Sequence, residues 1–462
     1  MLERSPLDWL GIRRLPFLSR SNFYYEFLHM LPWSVLAGLV ESQFASVVVA
    51  NAFHGSPRLI AAASSTPYAA QLLSLVWGML CVGRRKVPLL LIFGAGTALA
   101  AGTVAAIPAS PTGGLWFVVQ MAAAQCFLSG VVTVRSALWK SNYPQELRGQ
   151  ITARIQRWRL LISVVTVLVA ARVGDRDPDS YRYVFPCVAV IGLIGVALAT
   201  RIHIRGERSE LRRHVQSPSD GDIRQRYVEP YSLTALLSPG HVIGQMFRVL
   251  KEDRRYAHYC VAQALLGIAN IMTVPIAVTL ISRDLSLDDA SAFWVTTGLI
   301  VAIPNLTTLL SVGRWGRLFD RLGVLRMRMA NVACWVASLF FGFVGTMVIL
   351  YADRIGAAYL PLAVLMFAGR AVGFGLGTGG GALAWNLGHL HFAEPQKAEI
   401  YMGIHVSLTG VRGLIAPITG VWLWHTIGWL VWLVAIALAL ASEMIYSMLA
   451  RSEGEPVTAP NR

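Results

Sequence analysis

Two arginines stand out because each interrupts a long apolar stretch of the sequence. Arg370 lies near the middle of one stretch, and Arg412 lies near the middle of the next. A guanidinium group can bind a carboxylate or a phosphate through two parallel hydrogen bonds, but it is costly to bury in hydrocarbon. Each arginine therefore needs a partner or a hydrated cavity, and the pair predicts a binding site for a small organic anion.

Other polar residues in apolar stretches extend this candidate site. His405 and Arg412 share one helical face, as do Gln263 and Asn270. Glu41 lies slightly outward of the middle of the first apolar stretch. Because a buried carboxyl group can hold a proton and histidine titrates near neutral pH, Glu41 and His405 are the candidates for a coupling proton. The structural alternatives are hydrogen bonds between helices and, for Glu41, an ion pair with one arginine.

The composition requires these residues to lie in a membrane. The chain has 462 residues, of which 55% are hydrophobic and 14% charged, whereas soluble domains carry about 25% charged residues. This excludes an ordinary cytosolic enzyme, a disordered protein and a disulfide-rich scaffold. Twelve stretches reach the roughly 20 residues of a membrane-spanning helix. We number these segments one to twelve: 24–50, 58–82, 87–107, 114–138, 152–173, 183–200, 256–282, 290–313, 327–351, 359–385, 399–424 and 427–449.

The positive charges predict the orientation of these segments. If the N-terminus is cytoplasmic, the cytoplasmic connections contain most of the 40 Lys and Arg residues. The opposite side then holds only Arg58, Arg172, Arg176, Arg182, Arg283 and Arg354. The net charge of +15 is thus explained by topology, and we expect no nucleic-acid partner. We expect a multi-pass protein of the plasma membrane, which is the inner membrane of a bacterium, with both termini in the cytoplasm.

The segments divide into two sets of six. We predict a first bundle at residues 1–202, a central cytoplasmic loop at 203–255 and a second bundle at 256–462. In the loop, residues 242–250 fit either an amphipathic helix on the membrane surface or a flexible charged linker. The two halves echo each other, because Pro-Gln follows segment four at 144–145 and follows segment ten at 395–396.

The connection after segment eight carries a specific motif. The pattern G-x-L-x-D-R-x-G is matched by Gly316, Leu318, Asp320, Arg321 and Gly323. With its two sets of six segments, the chain resembles the major facilitator superfamily of secondary transporters. That resemblance implies an all-α integral membrane fold, in which twelve transmembrane helices form two pseudo-symmetric six-helix bundles. It also implies that the motif acts in gating, together with Arg148 in the loop between segments four and five.

Two glycine patterns predict close approaches of the backbone. Gly316 and Gly323 fit a tight turn, which would let Asp320 accept hydrogen bonds from the first N–H groups of segment five. In segment ten, small residues recur at four-residue spacing, which lets helices pack closely; these are Gly373, Gly377 and Gly381.

The resemblance implies that Glu41, Gln263, Asn270, Arg370 and Arg412 converge near the middle of the membrane. We therefore expect a monomeric secondary active transporter of a small solute, an organic anion by the arginine argument, with protons as the candidate coupling ion. We expect no metal and no other cofactor. Two alternatives stay open: an exporter of amphiphilic or cationic compounds with Glu41 as the counter-charge, and a non-transporting membrane enzyme or scaffold on a transporter-like fold. Direct ATP drive is disfavoured because the sequence has no P-loop. An enzyme is disfavoured because there is no G-x-S-x-G motif and the polar loops are too short for a separate catalytic domain.

Overall fold

The computed structural model describes residues 17–81, 84–216, 239–285, 291–393 and 398–452. Over these ranges the regular structure is helical, with short 3₁₀ and π turns and no strand. Helix covers every one of the twelve predicted segments, so the all-α prediction is confirmed.

The helices of the first six segments include two interrupted ones. In chain order they are Phe17–Val40 and Phe44–Asn51 (segment one), Pro57–Leu72 and Ser74–Cys81 (two), Lys86–Gly102 (three), Pro111–Asn142 (four), Gln145–Arg176 (five) and Tyr181–Ala199 (six). In the central loop, Glu207–Gln216 and Pro239–Glu252 are helical. The second of these covers residues 242–250, which favours the amphipathic helix over the flexible linker, whereas residues 217–238 lie outside the described ranges.

The helices of the last six segments include one very long one. They are Arg254–Met272 and Val274–Asp284 (seven), Ala292–Thr297 running through the π turn Gly298–Ala302 into Ile303–Leu350 (eight and nine), Tyr359–Leu387 (ten), Ala398–Ile427 (eleven) and Leu430–Ser452 (twelve). Gly323 breaks the long helix, with φ 73° and ψ 177°, a conformation that a residue without Cβ adopts at little cost. Gly316 stays helical, so the expectation that it also shapes the turn is wrong.

The length and composition of the helices agree with twelve membrane spans. Among the residues described, nine helices are long and apolar enough to cross a membrane, or ten if the bent pair in segment one is a single span. Ala292–Leu350 is one of them, but its 59 residues would extend about 88 Å against a hydrocarbon core of about 30 Å. It therefore contains both segments eight and nine. Segment five falls outside the set because Arg154, Arg157 and Arg159 lie in it.

The chain divides into two compact units, and the division cuts through segments one, two and five. Unit 1 comprises Met1–Ser42, Leu73–Ala170 and Asp179–Ser238; unit 2 comprises Gln43–Leu72, Ala171–Pro178 and Pro239–Arg462. In segments one and two the division falls where the helix is interrupted. The predicted bundles at 1–202 and 256–462 stay a prediction.

Glycines set the helix contacts inside each unit. In unit 1, a Cβ on Gly195 would lie 2.8 Å from the backbone nitrogen of Trp33, so segments six and one are almost in backbone contact. In unit 2, a Cβ on Gly373 would lie 3.0 Å from Ser338 Cα, and one on Gly377 would lie 2.5 Å from the indole of Trp335. Segments nine and ten thus approach closely, as the glycine spacing predicts.

Candidate functional site

Arg412 joins segment eleven to segment seven inside unit 2. Its Nη1 donates to the backbone carbonyl of Gln263. Gly267 makes room for it, since a Cβ there would lie 2.7 Å from Arg412 Cδ. The Nε of Arg412 is buried without a hydrogen-bond partner among the described residues, while the side chain as a whole is only partly buried. Arg412 therefore keeps donor capacity that the protein does not use.

His405 interacts with this arginine, and His389 lies next to His405. The ring of His405 lies between those of Trp385 and His389, at centroid distances of 5.9 and 6.5 Å. Arg412 and His389 both interact electrostatically with His405. Within the described part of the chain, neither His405 Nε2 nor His389 Nδ1 has a hydrogen-bond partner, although both are buried. Burial lowers the pKa of His389, which lies just beyond segment ten, so its neutral form is favoured.

Gln263 belongs to a network that the sequence analysis missed. Its side-chain oxygen accepts a hydrogen bond from Arg328 Nη2. Arg328 is 3% exposed and also donates to Asn331 Oδ1 at 2.9 Å and to the Tyr446 hydroxyl at 3.2 Å. Each of its three nitrogens has a hydrogen-bond partner, whereas the Nε of Arg412 has none among the described residues. In the sequence, Arg328 and Asn331 are three residues apart and therefore share a helical face. Arg328 was instead counted among the positive charges of the cytoplasmic connection after segment eight.

Asn270 lies further along segment seven, next to the break at Thr273. The Thr273 hydroxyl donates to the backbone carbonyl of Asn270 at 3.1 Å. The Oδ1 of Asn270 is buried and has no partner within the described ranges. Of the four residues predicted to bind substrate, the structure brings Gln263 and Arg412 into direct contact.

Arg370, in segment ten, has different surroundings, because it contacts segments nine and twelve. Its guanidinium carbon lies 5.6 Å from the ring centre of Phe374 and 5.8 Å from that of Trp432. Ser338 donates to its backbone carbonyl at 2.9 Å. The side chain is 3% exposed, and its Nε has no partner among the described residues.

Glu41 forms an ion pair with Arg159 inside unit 1, joining segments one and five. The two side chains are 24% and 21% exposed. Glu41 directly follows the first helix of segment one, and its N–H still donates to the Ala37 carbonyl at 2.8 Å. Its charge is thus already matched, in line with the ion-pair alternative.

A second carboxylate of unit 1, Glu26, is far more buried. It is 1% exposed and accepts hydrogen bonds from the Trp139 indole and the Tyr143 hydroxyl. Arg135 acts on it electrostatically, but no described cation lies within ion-pair distance. Glu26 and His29, three residues apart in segment one, were not among the predicted site residues.

Arg135 and His29 complete this cluster. Both are buried, and they interact electrostatically. His29 Nδ1 lies 2.8 Å from the carbonyl oxygen of Gly195 and therefore carries the proton. His29 Nε2 and Arg135 Nη2 have no hydrogen-bond partner in the described part of the chain. Arg135 thus interacts electrostatically with both Glu26 and His29 and keeps one nitrogen without a hydrogen-bond partner among the described residues.

The residues of the loop motif lie where segment eight turns into segment nine. Asp320 and Arg321 are exposed just before the turn at Gly323. Arg148 belongs to the first turns of Gln145–Arg176, but its side chain is outside the described part of the structure. The contact between Asp320 and the start of segment five stays a prediction.

Comparisons with known proteins identify the fold. No protein-family profile matches the chain, and no curated protein matches its sequence. Among solved structures, a mutant of the peptide transporter POT in complex with sulfate matches with a TM-score of 0.63 at 14% identity, covering 97% of this chain and 99% of that one. The nucleoside transporter NupG matches with a TM-score of 0.59 at 14% identity, covering 94% of this chain and 99% of that one.

The third similar structure is the partially occluded, inward-open xylose transporter XylE from E. coli. It matches with a TM-score of 0.59 at 12% identity, covering 96% of this chain and 100% of that one. The protein therefore has the multi-pass membrane fold of the major facilitator superfamily transporters, which confirms the fold prediction. At these identities the match defines the fold, and the substrate has to be argued from the side chains.

Proposed function

We propose that the protein is a secondary active transporter that moves a small organic anion across the plasma membrane by alternating access. The observation that carries this proposal is Arg412, a partly buried cation with an unused Nε donor. A cation at this depth is costly unless a solute or water reaches it. We propose further that the protein acts as a monomer with both termini in the cytoplasm, and that its bundles follow the predicted boundaries.

The chemistry around Arg412 favours a carboxylate or phosphate group. Arg412 can offer charged N–H donors in the plane of its guanidinium. His405, on which Arg412 acts electrostatically, and its neighbour His389 each have an imidazole nitrogen without a partner among the described residues, and these nitrogens can hydrogen-bond polar substituents of the same solute. We assign Gln263 to positioning, because its carbonyl holds Arg412 and its side chain joins the hydrogen-bond network of Arg328.

The Glu26 cluster supports proton coupling. When Arg135 moves away, an ionised Glu26 would be a buried charge held only by neutral donors, so its carboxyl group can take up a proton. While Glu26 stays ionised, it attracts Arg135, whose Nη2 has no hydrogen-bond partner among the described residues. We therefore add Glu26 to Glu41 and His405 as a candidate coupling residue. Glu41 is the weakest of the three because Arg159 already neutralises it.

The export of cationic compounds finds less support. That alternative required Glu41 as an available counter-charge, and the ion pair with Arg159 occupies it. The positive charge of Arg412 repels a cation, and so does that of Arg328, which acts on it electrostatically, while no acidic residue among those described offsets either.

Uptake into proteoliposomes tests the anion site. Purified protein is reconstituted, a proton gradient is imposed, and uptake of a panel of radiolabelled carboxylates and organic phosphates is measured. Because a hydrogen bond to a charged group contributes roughly 1.5–3 kcal/mol, Arg412→Gln should slow uptake about 10- to 100-fold at low substrate concentration. Arg451→Gln makes the same chemical change at an exposed position and should transport normally.

The proton site is tested in the same vesicles. Glu26→Gln should abolish uptake driven by the pH gradient but preserve exchange of labelled for unlabelled substrate, since exchange needs no net proton movement. Glu252→Gln, at an exposed glutamate, is the control. For the anion site, an Arg412→Gln protein that carries every anion of the panel at the normal rate would show that the anion proposal is wrong.

A further inference from the structure

The surroundings of Arg370 raise a question separate from the transport site. Arg370 is 3% exposed, and among the described residues its guanidinium, whose Nε is buried, has no acidic residue within ion-pair distance and no hydrogen-bond acceptor. The rings of Phe374 and Trp432 lie against it. Such rings attract a cation but give its N–H groups no acceptor. A buried charge without a counter-charge is strongly unfavourable, so an acceptor is required.

A second unused donor lies beside it. Trp432 is 0% exposed, and its indole Nε1 also lacks a partner among the residues described. Both side chains adjoin Gly342, where a Cβ would lie 3.1 Å from Arg370 Cδ and 2.5 Å from Trp432 Cη2. Two buried donors in one small region, one of them charged, call for an acceptor that carries negative charge.

We infer that Arg370 and Trp432 form a binding site for a small inorganic anion of the chloride type. Negative charge is required because water alone would leave the guanidinium uncompensated. Small size follows from burial, since Arg370 is 3% exposed and Trp432 is 0% exposed, so a bulky organic solute could reach little of either donor. This anion stabilises the contact of segments nine, ten and twelve. The inference does not depend on transport through Arg412.

Thermal unfolding of the purified full-length protein in detergent tests the site. Sodium chloride is titrated against sodium gluconate at constant ionic strength. Because an ion that binds only the folded state raises Tm, chloride should produce a saturable increase of about 2 °C that gluconate does not. An identical Tm in both salts would overturn the inference, since bound water would show no dependence on the anion.

Matched tryptophan variants locate the effect. Trp432→Phe keeps a ring against Arg370 but removes the indole N–H, so the chloride concentration for half-maximal stabilisation should rise about tenfold. Trp422→Phe changes a tryptophan that is 62% exposed and should leave it unchanged. An unchanged value in Trp432→Phe would overturn the assignment.

Two further measurements separate this inference from the transport proposal. Arg412→Gln should lose uptake but keep the chloride response. In crystals grown with bromide, the anomalous signal should lie beside Arg370 Nε and Trp432 Nε1. A chloride response lost in Arg412→Gln, or a bromide peak only elsewhere, would contradict the site.

Discussion

Gly375 in segment ten provides a sharp test of the helix packing in unit 2. A Cβ at this position would lie 2.6 Å from Thr307 Cβ and 3.0 Å from Pro304 Cα, and closest of all to the Pro304 carbonyl. These contacts are mostly backbone, so Gly375→Ala must push segments eight and ten apart. That movement would also stretch the hydrogen bond from Thr308 Oγ1 to the Gly375 carbonyl, which is 2.9 Å long.

The size of the effect follows from two opposing contributions. Overpacking costs about 1–3 kcal/mol, whereas replacing glycine by alanine within a helix favours folding by up to about 1 kcal/mol. At Gly381, six residues along the same helix, the nearest atom would be 3.8 Å away, so only the favourable contribution applies. We expect Gly375→Ala to unfold more easily than Gly381→Ala by about 2 kcal/mol.

Reversible unfolding in mixed micelles of dodecylmaltoside and SDS measures this difference. Helix content is followed by circular dichroism as the SDS fraction rises, and the two variants are compared with the unmodified protein. Equal stability of the two variants would refute the close packing of segments eight and ten.

Two other predictions concern charged groups. For the Glu41–Arg159 ion pair, which is partly exposed, Glu41→Gln, Arg159→Gln and the double variant should give a coupling free energy of about 1 kcal/mol in the same unfolding assay, and strictly additive effects would contradict the pair. For His389, burial lowers the pKa below its ordinary value of 6.5. As the pH falls through 6.5, His389 therefore binds a proton in the unfolded chain but not yet in the folded protein. The free energy of unfolding should therefore decrease from pH 7.5 to 5.5, and less steeply in His389→Gln; parallel curves for the two proteins would argue against a buried neutral imidazole.

The helices could be predicted from the sequence because apolar length and positive charge act locally. Each segment needs about 20 apolar residues, and each cytoplasmic connection carries its own Lys and Arg. The turn at Gly323 was also predictable, since its motif marks a position for a residue without Cβ. The interruptions of segments one and two were not, because they depend on contacts made by helices distant in the sequence.

The partners of the buried charges could not be read from spacing alone. Arg370 and Arg412 look equivalent in the sequence, yet one packs against Trp432 and the other against segment seven. Arg328 was hidden because an arginine near the end of a segment normally extends to the membrane surface. Helical periodicity shows which residues share a face, but it does not show which helix that face meets.

The most direct test asks whether water, and hence a solute, reaches Arg412. In protein whose five cysteines have been replaced, Arg412→Cys and Arg370→Cys are exposed in turn, from each side of the membrane, to a membrane-impermeant thiol reagent. Position 412 should react from at least one side, and more slowly when a transported anion is present. Position 370 should stay unreactive. A folded protein in which position 412 is unreactive from both sides would contradict the proposal that Arg412 binds a transported solute.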